Sequence, residues 1–139
     1  MKLGQSSRFE RAARQLDFRA LSGEVSGIPG VMGSTVINYH GSVRGRIIGD
    51  TPNGDEVLDR AGAIGSAIWG GPKKAEGEGG PLSSVIVSYQ KFRVIGVPIP
   101  GTKIAVVVTA GRDSDPVDLV NRIAYFVQYH VGRTPFDSF

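Results

Sequence analysis

The run Lys103-Ile104-Ala105-Val106-Val107-Val108-Thr109 is the most strongly β-branched in this chain. Isoleucine and valine fit the pleated surface of a strand. Here the apolar residues fall on both faces of the run, as in a strand deep inside a sheet covered on each side. Such a strand needs partners beside it and helices above and below it. The rest of the chain supplies them in the order helix-strand-strand-helix-strand-strand-strand-helix.

Leu21, Val25 and Ile28 form the stripe of a core-facing helix that Pro29-Gly30 ends, and Asp17 either caps this helix or continues the one before it. Thr35, Ile37 and Tyr39 then alternate with Val36, Asn38 and His40, which predicts a strand from Gly33 to Tyr39. His40-Gly41-Ser42 predicts a tight bend, since glycine accepts positive φ without steric cost. Val43 to Ile48 is the second strand of that hairpin, with Arg44 and Arg46 on its outward face. Val57, Leu58, Ala61, Ile64 and Ile68 recur at the helical period over 54–69. Trp69 closes this helix and Gly70-Gly71-Pro72 stops it. The glycine-rich stretch from Pro72 to Pro81 predicts a mobile surface loop.

Val85, Val87 and Tyr89 next alternate with Ile86, Ser88 and Gln90, and a further strand runs from Phe92 towards Ile99. Pro98 and Pro100 end that strand or confine it to an edge, because proline cannot donate to a ladder. Asp115-Pro116 opens a last helix as cap and first helical residue. Val120, Ile123, Ala124, Val127 and Val131 are its buried stripe. Before Asp17, Ser7-Arg8-Phe9-Glu10 has the form of a capping box, and Phe9, Ala12, Ala13 and Leu16 keep helical spacing. The chain thus divides into a basic extension over 1–16, one domain over 17–131 and a tail over 132–139.

Function classes fall away in turn. With no cysteine, the chain has no thiol nucleophile, disulfide framework or cysteine-ligated metal. The loop lysines Lys73 and Lys74 lack phosphate-loop spacing and follow a helix rather than a strand. His40 and His130 stand far apart with no nucleophile or ligand set beside them, so both read as ordinary surface or helix-end histidines. Asp55, Glu56 and Asp59 fall in a first helical turn, and Asp113 and Asp115 border another; dipole or cap roles suit them better than acid/base work. No catalytic residue, metal site or cofactor is therefore expected. Neither a secretory leader nor an apolar run of about 18 residues is present, so a cytoplasmic location is expected. Lys2, Arg8, Arg11, Arg14 and Arg19 outweigh Glu10 and Asp17. Such a segment could touch phosphates or an anionic membrane, but it reads rather as a solvated helix face or terminal arm, with no strong evidence for a nucleic-acid or membrane partner.

The helix over 54–69 is the best candidate for an interaction surface. Gly62, Ala63, Gly65, Ser66 and Ala67 make it smooth enough for another helix to approach closely, or for tight packing on its own sheet. Trp69 adds an aromatic anchor of the kind enriched in interfaces.

Taken together, the Ile28-Pro29-Gly30-Val31 turn, the Gly33-to-Asn38 strand, the His40-Gly41-Ser42 bend, the Val57-to-Ile68 helix, the Lys103-to-Thr109 strand and the Pro116-to-Val131 helix resemble the roadblock/dynein light chain family. That family shares its α/β sandwich with longin and profilin-like domains. The resemblance implies a five-stranded antiparallel sheet with two helices on one face and the second helix on the other. It also implies a non-enzymatic regulator or scaffold without a cofactor, which pairs with itself or a paralogue and binds a small Ras-like GTPase. The implied dimer surface is the 54–69 helix and the strand beginning near Ser84, which here means Val57, Ala61, Ile64, Ile68, Trp69, Val85, Val87 and Tyr89. The 70–81 loop, the basic extension and the two prolines depart from the family pattern. An alternative from another class is a small-molecule-sensing module of PAS or GAF type, with an internal pocket using Asn38, Ser88 and Tyr89.

Overall fold

The computed structural model describes residues 16–49, 51 and 53–133, the last two as backbone alone. The expected capping box at Ser7 and Glu10, the basic extension before Leu16 and the tail beyond Arg133 lie outside the described residues.

Helix α1 (Phe18–Ser26) starts where Asp17 accepts a hydrogen bond from the Ala20 amide at 3.0 Å. It buries Leu21 and Val25, with Ile28 just past its end. Gly30, at φ 93°, turns the chain into β1 (Val31–Asn38). At the following bend the Asn38 carboxamide accepts from the amides of His40 and Ser42, while Gly41 takes φ 85°. Strand β2 (Val43–Ile48) returns along β1, and the register shifts between Val36 and Ile37, leaving Arg44 as the extra residue of a bulge.

Helix α2 (Gly54–Ala67) follows, preceded by Asn53 in the left-handed region at φ 59°. It ends in a 3-10 turn at Ile68–Gly70, so Trp69 stands on that turn rather than on the helix. The remaining strands are β3 (Val85–Ser88), β4 (Phe92–Pro98) and β5 (Ile104–Gly111). Helix α3 (Pro116–Arg133) completes the fold, with the amides of Val117 and Asp118 donating to the Asp115 carboxylate.

The five strands form one antiparallel sheet in the order β2-β1-β5-β4-β3. The valine run lies in its centre. Strand β4 is internal, so Pro98 marks the strand's end and not an edge. Its missing N–H costs nothing, because the β3 register reaches only to Gly96.

Helices α1 and α3 cover one face, with Leu21, Val25, Val36, Ile95, Val106, Val108, Ile123 and Val127 in a shared core that also takes in Leu16. Helix α2 covers the other face, over a smaller cluster of Ile37, Ala61, Val94 and Val107. The sheet is therefore covered on both sides, as its apolar centre requires.

The glycine-rich loop is more structured than its composition suggests. It makes a 3-10 turn at Gly77–Gly79, and the Glu76 carboxylate accepts from the Leu82 amide with Lys73 Nζ at 3.2 Å. The Leu82 N–H, helped by the Lys73 ammonium, holds the Glu76 carboxyl below the usual carboxylate range against the opposing effect of burial. A depressed folded-state pKa gives a contribution that is present above the ordinary carboxylate value and lost as pH falls through the folded one. Glu76→Gln is expected to lower hydrogen-exchange protection of the Leu82 amide about threefold to tenfold at neutral pH. In the unmodified chain the same loss should appear only on acidification; equal protection in both chains at neutral pH would contradict the latch.

Candidate interaction surface

Helix α2 lies mainly over β1 and β5, so the β3 side of that face is left partly open. Three side chains border the gap. Ile64 on the helix flank, Trp69 on the 3-10 turn and Phe92 on β4 all pack against the Ile37–Ala61–Val94–Val107 cluster while keeping part of their surface exposed. Val87 pairs directly with Val94, and Val85 with Gly96, which puts both valines on the same face as the cluster. The Tyr89 ring packs 5.1 Å from Phe92, and its own surface is 41% exposed. The result is a shallow apolar trough that runs from α2 to the outer strand. Strand β3 has no partner on its far side among the described residues.

The expected interface set divides on this geometry. Ile64, Trp69, Val85, Val87 and Tyr89 share the trough. Val57, two turns before Ile64 on the same flank of α2, is half-buried. Ala61 and Ile68 do not belong to an outer surface, since both are enclosed by the chain's own core at 0% and 2% exposure. Helical periodicity identified their stripe correctly, but that stripe faces the sheet. Gly65 explains the smoothness of the helix in the same way: a Cβ there would stand 2.6 Å from Val107 Cγ2. Phe92 was missed because it reads simply as the start of a strand.

The other candidate residues are scattered. Arg46 lies on the α2 face of β2, with Nη2 2.8 Å from Asp55 Oδ1 and 3.7 Å from Asp59 Oδ1. Asp55 of the first turn and Asp59, one turn further on rather than in the first turn, thus anchor β2 to α2. Glu56 pairs with Arg60 along the helix. His40 is exposed against Tyr39. His130 Nε2 stands 3.2 Å from Glu24 Oε2, where α1 meets α3. Among the described residues no group of three His, Asp or Glu side chains is arranged to hold a metal ion.

Asn38, Ser88 and Tyr89 do not converge on a pocket. Asn38 is spent on its hairpin and pairs with Ile104 at one end of the sheet. Ser88 pairs with Arg93, which pairs with Ala110, at the opposite end. One apolar groove lies elsewhere, about 550 Å3 between Ile28-Pro29 and Tyr125-Phe126, beside the exposed Tyr129. This groove was missed in the sequence; Tyr125, a large aromatic off the expected buried stripe, is the residue that could have pointed to it.

No protein-family model matches the sequence, and no curated protein matches it either. Solved structures do. A Roadblock/LC7 domain from Streptomyces avermitilis superposes with a TM-score of 0.66 at 21% identity, over 81% of this chain and 93% of that one. MglB from Myxococcus xanthus gives 0.62 at 14% identity, over 88% and 96%. An MglB with a tetrameric arrangement gives 0.58 at 13% identity, over 95% and 93%. At such identities the likeness speaks for architecture alone. The chain has the roadblock fold.

Proposed function

We propose that this chain is a non-enzymatic regulator or scaffold that pairs with a second copy of itself, or with a paralogue, and binds a small Ras-like GTPase in the cytoplasm. The observation that carries the reading is the open edge of β3 beside the Ile64–Trp69–Phe92–Val87 trough. An unpaired strand next to exposed apolar surface is an aggregation hazard unless something covers it. A second copy related by twofold symmetry would pair β3 with β3, cover both troughs and leave no sheet edge at the junction. The roadblock fold supports the choice of partner class, and one similar structure is an MglB with a tetrameric arrangement.

Titration of the full chain against Ras-like GTPases of its source organism, each loaded with GDP or a non-hydrolysable GTP analogue, tests the partner. Saturable binding that prefers one nucleotide state is expected. Failure of every such GTPase to bind in either state would contradict the GTPase assignment and leave the pairing proposal to its own test.

A further inference from the structure

The sheet has a second open edge, at β2. Three features meet there. The first is the edge itself: six residues with no strand beyond them among the described residues, where Val43 and Ile48 are 51% and 49% exposed. The second is a cleft of about 410 Å3 between β2 and the outer flank of α2. It is walled by Val43 and Arg46 on the strand and by Asp59, Gly62, Ala63 and Ser66 on the helix, and those small side chains leave it open. The third is charge. Arg44, the bulge residue, and Arg19, next to the Phe18 backbone that packs on Gly45, are both exposed. Neither has an ion-pair partner among the described residues, whereas Arg46 is held by Asp55 and Asp59.

We propose that the β2 edge takes an extended acidic segment of a partner protein as an added strand. A strand laid there would run about 4.8 Å outside β2, its main chain bonding to the free edge. Alternate side chains would point to the α2 face, because Val43 and Arg46 already do so through their pairing with Ile37 and Thr35. Those side chains enter the cleft and supply selectivity. Acidic residues elsewhere on the segment meet Arg44 and Arg19, which favours an acidic strand over a basic one. This site is separate from the β3 trough, since the two edges lie at opposite ends of the strand order.

Backbone-amide NMR of the full chain, titrated with an acetylated and amidated Glu-Val-Glu-Val-Glu-Val-Glu peptide, tests the proposal. Shifts confined to β2 and to the Gly62–Ser66 side of α2 are expected, with a Kd below about 1 mM at low salt. The same peptide with Lys for Glu should bind about tenfold more weakly, and Arg44→Glu should cost the acidic peptide a similar factor. Ala63→Phe, at an exposed position on the cleft wall, should weaken binding while the remaining amides keep their positions. Four outcomes would overturn the proposal: shifts centred on Val85–Ser88 or on Tyr125–Tyr129, equal affinity for the Lys peptide, no shifts at about 1 mM, or β2 signals that move on dilution without peptide. The last would assign the edge to a second copy.

Discussion

Replacing Ile68 with alanine is expected to lower the unfolding free energy by about 2–5 kcal/mol. Ile68 is 2% exposed and stands directly on Gly96, where an added Cβ would lie 2.7 Å from its Cδ1. The glycine is the socket and the isoleucine fills it. Truncation leaves a cavity between the 3-10 turn and β4 that neither can close, since α2 and the sheet are both anchored elsewhere. Urea unfolding followed by the single tryptophan, Trp69, reads the loss directly. A change under about 1 kcal/mol would mean that Ile68 faces outward after all.

Gly45→Ala should have an effect of comparable size for the opposite reason. A Cβ at Gly45 would collide with the backbone of Phe18, its carbonyl carbon lying at 2.6 Å. Backbone at a helix start cannot rotate away as a side chain can. Relief requires α1 to lift off β2, which disturbs Leu21 and Val25 beneath it. We expect a loss of about 3 kcal/mol, at the upper end of overpacking costs. Thermal unfolding checks this, and a midpoint within about 2 °C of the unmodified chain would contradict the close approach.

What the sequence disclosed was whatever is encoded locally. Asp115-Pro116 announces a helix start because capping needs only three or four consecutive residues, whereas Asp17 suited a cap and the continuation of an earlier helix equally. The hairpin at His40-Gly41 was legible through one glycine, and the valine run through its two apolar faces. Features that depend on residues meeting from distant parts of the chain stayed hidden. Nothing near Arg46 in sequence says that it will bridge to Asp55 and Asp59, and a bulge at Arg44 needs a partner strand to exist. Glu76 looked like one more polar residue in a mobile loop until the Leu82 amide came within its reach. The candidate surface was half visible for the same reason. Periodicity grouped Ala61 and Ile68 with Ile64, but only the position of the sheet separates the two enclosed residues from the outer one.

The proposed pairing through β3 and the trough is tested most directly by the solution mass of the full chain, measured by light scattering beside a Val87→Lys variant. Val87 is half-buried on an edge strand, so a long charged side chain there can reach solvent in a monomer but not in a paired sheet. A dimer or a multiple of it is expected for the unmodified chain and a folded monomer for the variant. A monomer for both at concentrations of about 100 μM, well above what a specific contact of this kind requires, would contradict the pairing.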